Sequence, residues 1–348
     1  MNDMKAYTHG GDIYGLGPDI LDFSSNINPL GMPEAAKRAV YENIGAYEIY
    51  PDPLCRELRA ALSAFHGLPP EYFVCGNGSA DLIYRVALGL GPKSALIIAP
   101  AFSEYERALG LAGCRVKKHF LKPESGFNLT DEVLSEIQNG PDIVFIANPG
   151  NPTGVVTQTP LMLEIAEKCR ETGAILIADE CFADFPEQDA SLLAHAPRFK
   201  NVIILKAFTK FYAMAGLRLG YSVCADAALN ERVRAALQPW SVSAAASKCG
   251  IAALSDSEYI VRTKSLTARN REKLSGRLAG LGLTIFDSKA NYVFFKSGDV
   301  DLYEKLLRLG VLIRDCRDYA GLSPGFYRAA VRGEADNDYL IKCVGMCL

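Results

Sequence analysis

From about residue 75 to 225 the chain alternates short unbroken apolar runs with longer segments whose apolar positions recur every three or four residues. SALIIAP (94–100), DIVFIAN (142–148), AILIADE (174–180) and NVIILKA (201–207) are rich in isoleucine and valine. They do not alternate apolar with polar, which predicts strands buried on both faces. PLMLEIAEKCRETG carries the helical period, with Thr159 expected as N-cap, Pro160 in the first turn and Gly173 as the stop. Repetition of strand, helix and strand predicts an α/β fold, a mostly parallel sheet covered by helices.

Beyond about 225 the pattern changes. Residues 226–281 read as helical, followed by shorter strand candidates at LTIFD (283–287), NYVFFK (291–296), GVLIRD (310–315) and FYRAAVR (326–332), then a helix from about 336. This predicts a smaller α+β domain built from residues 1–44 and 241–348, around a large domain spanning 45–240.

Bulk composition narrows the function. With 348 residues, 49% of them hydrophobic and 22% charged, the chain can bury a large core. A net charge of −3 provides no basic footprint for nucleic acid. No apolar run reaches the roughly 18 residues that a membrane span needs, and MNDMKAYTHGG lacks the layout of a signal peptide. A cytoplasmic protein with neither nucleic-acid nor membrane partner is expected. Ten cysteines are scattered without a CxxC pair and the four histidines stand far apart, so small buried thiols are expected rather than a metal site.

In sheets of this kind ligands bind beyond the carboxyl ends of the strands. The polar groups found there are CGNGSAD, PAFSEY, ANPGNPTG, ADECF and KAFTK. Singly, NPTG is a turn, an aspartate closing a strand caps a helix, and GNGS is a loop. In their order, Asn151, Asp179, Lys210 and Arg218 resemble the fold-type I pyridoxal-phosphate enzymes of the class I/II aminotransferase group, a likeness running from about residue 20 to the end.

That resemblance implies a PLP-dependent transferase-like large domain, pyridoxal 5'-phosphate as cofactor, and a homodimer with shared active sites. It makes Lys210 and Asp179 catalytic: Lys210 bonds the cofactor's aldehyde and Asp179 keeps its ring nitrogen protonated. Asn151 would donate to the phenolate oxygen and Phe102 would stack on the ring. Gly78, Ser79 and Ala80 open a helix that can face the phosphate, joined by Thr209, Arg218 and, from the neighbouring subunit, Tyr50. Ala207 stands where the group usually has a phosphate-binding serine. Lys206, only four residues before Lys210, still lies within the strand and is assigned to structure.

Within the group, HGG (9–11), DFSSNINPLG (22–31), QPWSV (238–242) and FYRAAVR resemble the branch that decarboxylates O-phospho-L-threonine to (R)-1-aminopropan-2-yl phosphate and CO2 in cobalamin biosynthesis. Phe182 of DECF replaces the tyrosine usual in the transaminating branch. Transamination of histidinol phosphate is the alternative. Decarboxylation requires the substrate carboxylate to stand out of the ring plane, and binding energy from a remote phosphate can impose that turn. His9, Asn28, Arg314, Arg328 and Arg332 are the expected substrate ligands. Residues 328 and 332, four apart on one strand, would share a face suited to a dianion.

Overall fold

Seven strands form the main sheet of the computed structural model, which describes residues 9–236 and 238–348. Their spatial order is Phe73–Gly76, Gly220–Val223, Val202–Ala207, Ile175–Asp179, Ile143–Ala147, Ser94–Ala99 and Arg115–Phe120. All run parallel except Gly220–Val223, which is antiparallel to both of its neighbours. Every residue of the central Val202–Ala207 strand is buried. Ile204 packs into the core on one face, Ile203 and Leu205 into the core on the other, so the run has no polar face to show. Here both faces are covered, as the unbroken apolar runs required.

The strand Arg115–Phe120 was not legible as one. Its sequence RVKKHF is half-exposed and charged, a composition that suits an edge, where lysines discourage further pairing. The helix Thr159–Thr172 starts one residue earlier than expected, with Gln158 at the N-cap, Pro160 in the first turn and Gly173 closing it at φ 79°.

The stretch 226–281 is three helices, Ala227–Ala235, Ala244–Leu254 and Ser257–Gly280. Asp226, Ser243 and Asp256 each cap one by accepting a backbone N–H, which is why one long helix does not form. Ala246, Cys249 and Ala253 of the second, with Ala36 and Ala39 of helix Glu34–Glu42, join the core under the main sheet. These helices lie outside the expected 45–240 span, so the layer covering the sheet draws on chain from both sides of those boundaries. Residues 1–8 of the expected small-domain segment lie outside the described residues.

A second sheet orders Arg314–Asp315, Phe326–Ala330, Tyr292–Lys296 and Thr284–Ile285, all antiparallel. The run GVLIRD therefore splits. Val311–Leu312 leaves this sheet to pair in parallel with Leu21–Asp22. That pairing, with a 2.8 Å hydrogen bond from the Ala330 N–H to the Phe23 carbonyl, lays the DFSSN segment alongside the small sheet.

Candidate active site

Gly76, Ala99, Ala147, Asp179 and Ala207 are the last residues of five parallel strands, so the polar segments that follow them meet along one rim. Arg218 arrives there differently. Gly220 pairs with both Gly76 and Ala207, and because its strand runs backward, the residues just before it also stand at the carboxyl rim. Its neighbourhood is tight: a Cβ on Gly220 would lie 2.7 Å from the Ser79 nitrogen, and one on Gly78 would lie 2.6 Å from Arg218 Nη2. Gly78 is needed twice, for that approach and for its φ of 85°. Arg218 itself is held left-handed at φ 59°, a strained state for a non-glycine residue that is found chiefly at functional sites.

A cavity of about 190 Å3 opens at this rim, lined by Ser79, Ala80, Phe102, Asn151, Asp179, Thr209, Lys210, Arg218, His9, Arg314 and Arg328. Asp179 receives the Tyr105 hydroxyl at 2.5 Å and the Cys181 N–H at 3.0 Å, which fixes its plane. Burial, helped by the nearby Arg328 and Arg218 charges, lowers the Lys210 amine to about 8. Lys210 keeps contact with solvent through the cavity, yet protein surrounds it closely enough to disfavour the ammonium. Lys206 is different: it is 2% exposed and pairs at 2.6 Å with the half-buried Asp184, an ion pair within the fold.

Arg328 is buried and forms no ion pair among the described residues. Its Nη1 donates to Asn151 Oδ1 at 2.5 Å and its Nη2 to the Ser24 carbonyl at 2.9 Å, while its Nε is buried without a partner. An arginine can only donate, so it fixes which end of the Asn151 amide is oxygen and leaves the NH2 end free to turn elsewhere. Tyr319 supports the same oxygen at 3.4 Å and lies under the Arg314 guanidinium, 5.2 Å away. Arg314 is held in turn by Asp318 at 2.6 Å. His9 bonds Glu104 at 2.9 Å and stands 5.4 Å from the Phe102 ring.

Two expected substrate ligands, Asn28 and Arg332, are not brought into this cavity, and Tyr50, expected to act from a neighbouring subunit, lies outside it on its own chain. Asn28 is buried behind it, where its side chain holds the Phe211 carbonyl, Tyr259 and Thr263 and its N–H holds the Lys210 carbonyl. It supports the lysine-bearing turn instead of facing a substrate. Arg332 lies past the end of its strand at Ala330, so the shared face with Arg328 does not exist. It pairs with Asp336 at 2.9 Å and bonds the Asp22 carbonyl. Tyr50 is 77% exposed and stacks on Trp240 outside the cavity.

Five lining residues were missed, Ser24, Ser25, Asn26, Cys181 and Tyr319. Asn26 is 2% exposed and its Oδ1 has no partner, so it, and not Asn28, is the amide of DFSSNIN that faces the site. Asp22 accepts from Ser24 and Ser25, a side-chain-organised turn that aims the following residues, but the order of the two amides does not say which one it turns inward. Ala207 and Phe182 remain without the hydroxyls usual at those positions.

The cavity suits the expected cofactor on several counts. A helix of twelve residues, Ser79–Leu90, begins at it, Arg218 makes no ion pair among the described residues, and Asn26 and Arg328 each present a buried polar atom without a partner. Comparison with known proteins agrees. The family described as aminotransferase class I and II matches residues 18–344. The chain is 38% identical over 346 residues to a threonine-phosphate decarboxylase of Salmonella typhimurium, covering 97% of this chain and 95% of that protein. It is 30% identical to a histidinol-phosphate aminotransferase of Methanosarcina mazei, covering 98% and 93%. The crystal structure of the histidinol-phosphate aminotransferase from Clostridium acetobutylicum superposes with a TM-score of 0.89 at 28% identity, covering 94% of this chain and 99% of that one. With site, fold and sequence in agreement, the chain belongs to the class I and II aminotransferases and is an enzyme that uses pyridoxal 5'-phosphate.

Proposed function

We propose that this enzyme decarboxylates O-phospho-L-threonine, giving (R)-1-aminopropan-2-yl phosphate and CO2, a step of cobalamin biosynthesis. The observation that carries this reading is the charge of the cavity. Arg218, Lys210, Arg314, Arg328 and His9 face it, and Asp179 is the one carboxylate among its lining residues. The cofactor's phosphate answers part of that excess. The rest suits a substrate bearing two anionic groups, a phosphate and a carboxylate, as phosphothreonine does. The Salmonella relative supports the same reaction.

When bound, pyridoxal phosphate supplies a sink for the electron pair left as the Cα–carboxylate bond breaks. The chain's residues position the partners and move the proton. The Ser79 and Ala80 N–H groups, Thr209 and Arg218 hold the cofactor phosphate, and Phe102 covers the ring. Asp179, fixed by Tyr105 and Cys181, holds the ring nitrogen. Asn151, its oxygen taken by Arg328, turns its NH2 toward the ring oxygen, without the second hydroxyl that Phe182 cannot offer. Arg328 and the pair Arg314 and His9 would hold the substrate's anions and so orient its carboxylate for loss. A lysine near neutrality both accepts and returns protons readily, and Lys210 delivers one to Cα after CO2 departs.

Tyr50 reaches the phosphate of a partner subunit in this reading. Tyr41, Ile44, Ile49 and Tyr50, between 59% and 77% exposed, form an apolar strip on the right segment for a homodimer contact.

The test is a direct comparison of substrates. Phosphothreonine should release CO2 and an amino-alcohol phosphate. Turnover of histidinol phosphate with 2-oxoglutarate in preference to phosphothreonine would replace this reading with the aminotransferase one.

Two further outcomes follow from the geometry. Capture of pyridoxal phosphate by cofactor-free protein needs the neutral Lys210 amine, so its rate should rise with pH to a midpoint near 8. A midpoint in the ordinary lysine range, above about 10, would show that the amine is not buried as described. Gly78→Ala should push Arg218 aside and weaken cofactor binding roughly tenfold to a hundredfold, since a charge-assisted hydrogen bond contributes about 1.5–3 kcal/mol. Equilibrium titration of the cofactor measures it, and an unchanged dissociation constant removes Arg218 from the phosphate site.

A further inference from the structure

The phosphate cradle carries a carboxylate of its own. Gly78 is the N-cap of the helix Ser79–Leu90 and has no side chain with which to cap it. The loop ahead of it is held instead by Asp81, in the first turn of the helix, whose Oδ2 accepts the Asn77 N–H at 2.7 Å. A Cβ on Gly76 would lie 3.0 Å from that same oxygen, so the loop closes tightly around it. An anion in the first turn steadies a helix. Here, however, it stands at the end that is to receive a phosphate, and two negative charges so placed repel each other.

Arg85 answers that charge from one turn further along. Its Nε donates to Asp81 Oδ1 at 2.7 Å and its Nη2 meets Oδ2 at 2.5 Å, a two-pronged grip suited to a planar guanidinium. Arg85 is 3% exposed, on a helix whose neighbouring buried positions Leu82, Ile83, Val86 and Ala87 are all apolar. Stability alone is a poor reason for an arginine there. Exchanging a buried ion pair for apolar side chains is often neutral or stabilising, and this one leaves Arg85 Nη1 buried without a partner. Asp81 is its one ion-pair partner among the described residues, so its charge is directed at the first turn of the cradle helix.

We propose that Arg85 is a positioning residue for the cofactor phosphate: it neutralises Asp81, so that this carboxylate can order the Gly76–Gly78 loop without repelling the anion that the loop and Arg218 hold. With Arg85 removed, Asp81 would keep its bond to Asn77 but set a bare negative charge against the phosphate, offsetting part of the attraction that Arg218 supplies. The loss should therefore depend on the phosphate of the ligand and on the charge of Asp81.

Cofactor-free protein is titrated with pyridoxal 5'-phosphate and, separately, with pyridoxal, which lacks the phosphate, each followed by absorbance. Arg85→Met should weaken pyridoxal phosphate about tenfold, between what one charge contributes at contact distance in water and near a protein surface, and leave pyridoxal within about twofold of wild type. Arg85→Lys, which keeps the charge, should recover most of the loss. Combining Asp81→Asn with Arg85→Met removes both charges, while the asparagine oxygen can still accept the Asn77 N–H. That double variant should bind pyridoxal phosphate within about threefold of wild type, the coupling expected of a pair that acts as a unit. Equal weakening of both ligands in Arg85→Met, unchanged binding of pyridoxal phosphate, or a double variant no better than the single one overturns the proposal. If Arg85→Met does not fold, Asp81→Asn decides: with the Arg85 charge left uncancelled it should bind pyridoxal phosphate at least as tightly as wild type, and weaker binding overturns the proposal. Neither titration depends on turnover or on which substrate is decarboxylated, so a failed decarboxylase assay leaves the result interpretable.

Discussion

Lys210→Ala is expected to lower turnover of phosphothreonine by about ten-thousand-fold, the upper end of what a positioned acid or base contributes, with the covalent hold on the cofactor lost as well. The variant should still bind pyridoxal phosphate through Asp179, Arg218 and the Ser79 helix, but borohydride reduction should no longer fix the cofactor to the chain. Stability should move the opposite way. A lysine whose folded value lies near 8 penalises the folded state as pH falls from about 10.5, its unfolded value, to 8, and the penalty is constant below that. At neutral pH the cofactor-free variant should therefore unfold at no lower temperature than cofactor-free wild type, with the difference shrinking as pH rises above 8. Retention of substantial turnover would remove Lys210 from the chemistry, whatever the spectra show.

Arg328→Leu should cost about a thousandfold in kcat/KM. The contact to the substrate anion is lost, worth about 1.5–3 kcal/mol, together with the two bonds that hold Asn151 and the Ser24 carbonyl in place. About 4 kcal/mol corresponds to a thousandfold, reached when the lost contact to the substrate anion and the misturned Asn151 amide are counted together. Losing Arg328 also leaves Asn151 with only the 3.4 Å contact from Tyr319, so the amide can turn over and present oxygen where a donor is required. Arg328→Lys should recover only part of the loss, since one ammonium cannot span both acceptors. Steady-state kinetics on the three proteins decide the point. A leucine variant within tenfold of wild type would mean that Arg328 only supports the fold.

Legibility along the chain tracked how local each cause was. The strands Ser94–Ala99, Ile143–Ala147, Ile175–Asp179 and Val202–Ala207 were readable because complete burial leaves an unbroken apolar run, a property of consecutive residues. The edge strand Arg115–Phe120 was not, because its charges answer to solvent on one side and not to the sheet. Asn28 and Asn26 show the same limit at the site. Both are amides in one short segment, and nothing in their order says which of them faces the cavity. Arg332 was misplaced for a related reason: four-residue spacing implies a common face only while the strand continues, and this strand stops at Ala330.

Residue order alone determined that a parallel sheet would carry an amide, a carboxylate and an amine just past its strand ends, because the position after a strand is written in consecutive residues. Only the tertiary structure decided which cations would converge. Arg218 reaches the rim because its strand runs backward between two others, and Arg328 reaches it because the small sheet and the segment after Leu21–Asp22 close over Asn151. Those placements depend on packing between residues hundreds of positions apart, where a few ångströms separate an arginine that binds an anion from one that pairs with a neighbouring aspartate.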